Sequence, residues 1–172
     1  PRVSDPALKP AEVVAELLAL MGRHKAADAS EERSVKRVVQ LLKTSGRPFW
    51  RGQVNPGHLT ASALVLDQER GRTLLIHHAK LQRWLQPGGH ADGDMNLAGV
   101  ALREATEESG MDGLRVWSAP IDLDIHRVAP PREDAHLHLD VRYLVVAPPG
   151  RPSRCTRSRR RSARRCRTPA GA

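Results

Sequence analysis

At 172 residues the chain suits one domain, or one domain with extensions, and its 40% hydrophobic content is enough to bury a core. The net charge of +9 suggests nucleic acid until it is located: residues 151–172 hold nine Arg and no acid, leaving 19 basic against 19 acidic residues in a neutral body. Cys155 and Cys166 also lie in that tail, so the body has no disulfide framework and no thiolate metal site. No apolar run approaches the roughly 18 residues of a membrane span. No signal-peptide apolar region opens the chain, which does not begin with Met. A soluble protein in a reducing, cytoplasmic setting without membrane partners is expected.

Residues 1–46 read as a helical N-terminal extension of two helices. The first runs from Pro10 to Met21, with Val13, Val14, Leu17, Leu18 and Met21 at helical spacing; the second runs from Ser30 to Lys43, with Val35, Val38, Val39, Leu41 and Leu42. Gly22 and Gly46 are the expected stops. The apolar stripes read as packing surface, with partner docking as the alternative. His24 reads as a loop residue without company. The turn-rich segment 47–57 marks entry to a main domain, 47–150. A strand from His58 to Leu66 and a polar turn are answered by Thr73–His77.

The densest signal is residues 86–111, QPGGHADGDMNLAGVALREATEESGM. A helix is expected from Met95 to Ser109, with Asp94 as N-cap and Gly110 as stop. Glu104, Glu107 and Glu108 then fall on one face at i, i+3 and i+4, near a helix end where the dipole disfavours anions. No Lys or Arg stands four residues after any of them. A hard divalent cation would offset such a cluster; a solvated acidic face is the other reading.

The spacing of the stretch resembles the Nudix hydrolase signature, a Gly, five residues, a Glu, seven residues, then R-E-U-x-E-E-x-G-U with U aliphatic. Gly89 opens it, and Arg103, Glu104, Glu107, Glu108, Gly110 and Met111 fall into register, while Met95 stands where the first signature Glu belongs. The resemblance covers about residues 47–147. It implies an α/β fold, an α/β/α sandwich with a mixed sheet and a packed signature helix. It implies a Mg²⁺- or Mn²⁺-dependent hydrolase of a nucleoside diphosphate linked to another group. By the same match Glu104, Glu107, Glu108 and the Gly88 carbonyl would hold metal, and Glu107, Glu108 and Arg103 would be catalytic. Arg103 normally pairs with the first signature Glu; here Asp94 or Asp92 is the available substitute. The departure at Met95 leaves a catalytically weak or inactive binding module as the alternative.

Beyond the motif, a strand is expected over Leu114–Ser118. Two segments then alternate strictly: Ile121, Leu123 and Ile125 against Asp122, Asp124 and His126, and Leu137, Leu139, Val141 and Tyr143 against His136, His138, Asp140 and Arg142. The apolar sets should pack inward. The polar set reads either as a solvated face or as the lining of the cleft beside the glutamates, with His136 and His138 facing the same cleft as Glu104. His136 and His138 are therefore substrate-binding candidates. The resemblance adds His90, directly after Gly89 in the loop where the family brings substrate and metal together, and Glu133 and Asp134 from the intervening loop, because a base outside the signature helix, often a loop carboxylate, is typical of the family.

The tail, 151–172, has no apolar periodicity and is expected to be disordered. Its abrupt Arg, Ser, Pro and Ala composition resembles translation of a GC-rich gene in a shifted frame, which would cut the domain short. The alternative is an electrostatic nucleic-acid arm.

Overall fold

The computed structural model describes residues 10–149, apart from 68, 70, 80 and 132, together with the backbone of 163–167. Three helices, α1 (Pro10–Arg23), α2 (Ala29–Thr44) and α3 (Leu97–Ser109), pack with strands β1 (Gly57–Asp67), β2 (Arg72–Thr73), β3 (Leu75–His78), β4 (Arg83–Leu85), β5 (Gly88–His90), β6 (Arg115–Val128), β7 (His136–Val146) and β8 (Ala163–Arg167). A mixed sheet runs β2-β1-β7-β6, with β5 also paired to β1; a second sheet runs β4-β3-β8. β1 and β7 are parallel and the other pairs antiparallel. This is the expected α/β architecture with a helical N-terminal segment. Among the described residues no helix is long and apolar enough to cross a membrane.

β1 is buried on both faces because it is central. Leu59, Ala61, Ala63 and Val65 alternate with His58, Thr60 and Ser62, and all are buried. Its first residue must be Gly57, since a Cβ there would stand 2.0 Å from the Leu137 carbonyl oxygen of the neighbouring strand, at a φ of +156°.

The N-terminal helices are part of the same core. Val13, Leu17, Met21, Val38, Leu41 and Leu42 join the cluster that includes Leu59, Leu123 and Tyr143. At about 1.5–3 kcal/mol per buried side chain, this face is ample reason for the pair to dock. Asp28 caps α2, accepting from the Ser30 and Glu31 amides at 2.7 and 2.9 Å. The expected glycine stops give way: Gly22 lies inside the last turn of α1, and α2 ends on Ser45, whose amide donates to the Leu41 carbonyl. His24 is not alone either. Its Nε2 lies 2.7 Å from Glu31 Oε1, and the Glu31 carboxylate also accepts from the amides of Ala27 (2.6 Å) and Leu123 (3.1 Å), fastening α2 to β6.

Ile121 differs from expectation. The ladder of β6 on β7 shifts register on both sides of Pro120, and Ile121 emerges 38% exposed while Leu123 remains buried. Five residues of the Arg-rich tail also differ, forming β8 on the free edge of β3, which offers unpaired backbone groups. The remainder of the expected disordered tail lies outside the described residues.

Candidate active site and the histidine face

α3 starts two residues later than the spacing suggests. Asn96, not Asp94, is its N-cap and accepts from the Gly99 amide at 3.0 Å, while Asp94 accepts from the Asn96 amide. Met95 therefore precedes the helix, packed against the core. Gly110 closes α3 in the left-handed conformation, φ 68°, its amide bonded to the Thr106 carbonyl.

The helix buries Leu97, Ala98, Val100, Ala101, Ala105 and Glu104. A carboxylate so placed needs polar surroundings. Glu104 receives the Arg103 guanidinium at 3.5 Å, and Arg103 also reaches Asp94 at 3.2 Å, so Asp94 takes the partner role that Met95 cannot. Glu104 further lies directly against β5: a Cβ on Gly89 would stand 2.7 Å from its Cδ. One turn on, Glu108 accepts from the Gly88 amide at 3.3 Å, and Glu107 is the exposed member of the trio. Two carboxylates of one helix thus converge on a Gly-Gly strand, where missing side chains let them approach the backbone. The donors gathered there are carboxylate oxygens with the Gly88 carbonyl close by in sequence. Such a hard set fits Mg²⁺ or Mn²⁺.

The histidines gather elsewhere. In β5 the alternation turns Gly89 toward α3 and His90 to the other face, and the pairings Ala61 with Gly89 and Thr60 with His90 carry that division onto β1. His58, Thr60 and Ser62 share the His90 face, and register across β7 adds His138, Asp140 and Arg142. The His58 ring lies 5.1, 4.9 and 5.0 Å from the rings of His90, His136 and His138, and His126 lies 5.5 Å from His138. The expectation that His136 and His138 face the cleft of Glu104 is thus corrected: the β1–β5 pair separates them.

Nor is this a solvated face. His136 and Asp140 are buried, and Asp140 accepts from the hydroxyls of Thr60 and Ser62. Arg142 pairs with Asp122, and Asp124 with His126 at 2.9 Å. Burial lowers the pKa of His58 and His90; it also drives His138 down to about 3, helped by the neighbouring imidazoles His90, His58, His126 and His136. Those three rings are neutral at pH 7. Of the loop candidates, Glu133 bonds to Arg51 at 3.0 Å, which holds its carboxyl below the usual range, and Asp134 contributes its backbone carbonyl to His136. His58 escaped the sequence reading, although the alternation of His58, Thr60 and Ser62 against Leu59, Ala61 and Ala63 carried the signal.

The NUDIX domain model matches residues 56–163. A probable DHNTP pyrophosphohydrolase from Lactococcus lactis subsp. cremoris is 29% identical over 123 residues, covering 68% of this chain and 70% of that protein. Among solved structures, a NUDIX-family hydrolase from Clostridium perfringens is 23% identical over 52% of this chain and 68% of its own, with a TM-score of 0.43. An Ap4A hydrolase from C. elegans, solved as a binary complex, is 14% identical over 64% of this chain and 77% of its own, with a TM-score of 0.48.

Proposed function

The chain belongs to the NUDIX family and is a hydrolase of diphosphate bonds, and from that premise we propose that it cleaves a nucleoside diphosphate linked to another group, with Mg²⁺ or Mn²⁺ held at the end of α3. The observation that carries this reading is the convergence of Glu104 and Glu108 on the bare backbone of Gly88 and Gly89. The pyrophosphohydrolase name of the Lactococcus lactis relative supports the same class of bond.

Glu104, Glu107, Glu108 and the Gly88 carbonyl would hold the cation. When bound, such an ion neutralises phosphate charge and lowers the pKa of attacking water. The chain's own residues do the rest. Glu104, buried, fixes the helix against β5. Glu107, exposed on the same face, is the carboxylate that solvent water reaches most directly. Arg103, tied to Asp94 and Glu104, holds the start and middle of α3 in register, so the missing signature Glu does not leave the guanidinium unanchored.

A panel of nucleotide sugars, dinucleoside polyphosphates and nucleoside triphosphates, assayed for nucleotide or phosphate release with Mg²⁺ and with chelator, tests the proposal. Release from at least one member, abolished by chelator, is expected. Binding without turnover across the panel would favour a binding module, the reading that Met95 supports.

A further inference from the structure

We propose that His58, His136 and His138 form a second metal site, for a transition ion of the Zn²⁺ class, on the face of the sheet opposite the glutamates. One ring nitrogen from each lies within 4.8 Å of the others. Their placement is fixed by the sheet: His58 and His138 are paired across β1 and β7, and His136 is two residues along β7 from His138. Imidazole nitrogen is a borderline donor that suits Zn²⁺, Ni²⁺, Co²⁺ or Cu²⁺ rather than Mg²⁺, so this site and the carboxylate site select different ions.

A packed cluster of neutral histidines would look similar from a distance, but the hydrogen bonding distinguishes the two. His58 Nδ1 lies 3.1 Å from the Gln53 carbonyl and His136 Nδ1 lies 2.7 Å from the Asp134 carbonyl. A carbonyl can only accept, so both Nδ1 atoms carry the proton, and in the neutral ring the lone pair then lies on Nε2. Those two Nε2 atoms are buried and have no hydrogen-bond partner among the described residues. A buried acceptor left without a donor is costly, and a cation satisfies both at once. Anchoring of Nδ1–H by a backbone carbonyl is also how metal-binding imidazoles are oriented.

Zn–N bonds of about 2.0–2.1 Å place tetrahedral donors roughly 3.4 Å apart, so the rings close by modest rotation. His138 is half-buried and is the ring best able to turn. His90, also half-buried and with its ring 5.1 Å from those of both His58 and His138, borders the fourth position. Three protein ligands and one remaining position is the composition of a reactive rather than a closed structural zinc site. The inference rests on this geometry and stands whether or not the carboxylate site proves hydrolytic.

The test is Zn²⁺ titration of the chelator-treated full chain with Mg²⁺ saturating, read by competition with a chromophoric chelator. Co²⁺ is titrated in parallel, its visible bands reporting nitrogen-rich, low-coordinate geometry. One equivalent per chain is expected, and it should persist in the Cys155→Ser/Cys166→Ser double variant. In His138→Ala the affinity should fall by more than the roughly 10–100-fold that losing a ligand's hydrogen-bond partner costs. His136→Asn, which retains a donor for the Asp134 carbonyl but lacks Nε2, is the second variant, and circular dichroism verifies the fold of each. Absence of binding, undiminished affinity in either folded histidine variant, or loss of binding in the cysteine variant would overturn the site.

Discussion

Strand β1 separates two polar centres built by different means. Toward α3 it presents Ala61 in register with Gly89, and their small size lets a helix carrying Glu104 and Glu108 come up against β5. On its other side it presents His58, Thr60 and Ser62 to His138, Asp140 and His136, and the centre is assembled from two distant stretches of chain. The first is local in sequence, one strand, one loop and one helix within 22 residues from Gly88 to Ser109. The second exists only once β7 lies beside β1. Opposite donor types follow: oxygen on one side, imidazole nitrogen on the other. A single sheet thereby keeps two different sets of donor groups apart.

The sharpest way to break this division is on the helix side. Glu104→Gln should lower diphosphate hydrolysis by about a hundredfold or more, the scale lost with one electrostatic stabiliser, while the histidine rings keep their packing. Steady-state kinetics on a hydrolysed panel member measures it. Gly89→Ala comes next. Its Cβ would fall 2.7 Å from the Glu104 carboxyl carbon, so either the glutamate or β5 must move. A loss of about 1–3 kcal/mol in denaturant unfolding is expected, together with reduced turnover.

Glu31→Ala asks whether the N-terminal helices belong to the folding unit that holds both centres. It should cost about 1–3 kcal/mol by leaving the Leu123 and Ala27 amides without their acceptor. Burial pushes the Glu31 carboxyl up, but the hydrogen bonds from Ala27, His24 and Leu123 and the charge of His24 bring it below its usual 4.5. A carboxylate lowered on folding stabilises the protein above its unfolded pKa, and that contribution is lost as pH falls through the folded value. The gap between wild type and Glu31→Ala should accordingly be full at neutral pH and narrow below 4.5. Smallest is Asp94→Ala. Its ion pair with Arg103 is more than a third exposed on both partners, so about 0.2–1 kcal/mol is expected in thermal melts. A much larger loss would make Asp94 a structural equal of the missing signature Glu.

The helix side was legible because its spacing is short-range: Gly89, Arg103, Glu104, Glu107 and Glu108 keep their register whatever the tertiary structure does. Even there the helix start moved from Met95 to Leu97, because Asn96 competes successfully as cap and Asp94 is occupied by the Asn96 amide and Arg103. Period-two alternation correctly put His136, His138 and Asp140 on one face of β7. It could not say which side of the sheet held α3, and so the cleft was assigned to the wrong face. His24 looked solitary because its partner, Glu31, meets it only when the loop between α1 and α2 closes. Ile121 followed the alternation in sequence but not in space, since the irregularity at Pro120 turns it outward.

The claim that the carboxylates of α3 form the metal centre is tested most directly by thermal unfolding of wild type and Glu108→Gln, each with and without Mg²⁺. Mg²⁺ should raise the melting temperature of the wild type and raise that of Glu108→Gln distinctly less, because a ligand that binds only the folded state stabilises in proportion to its affinity. Equal Mg²⁺ stabilisation of the two proteins, or none in either, would contradict it.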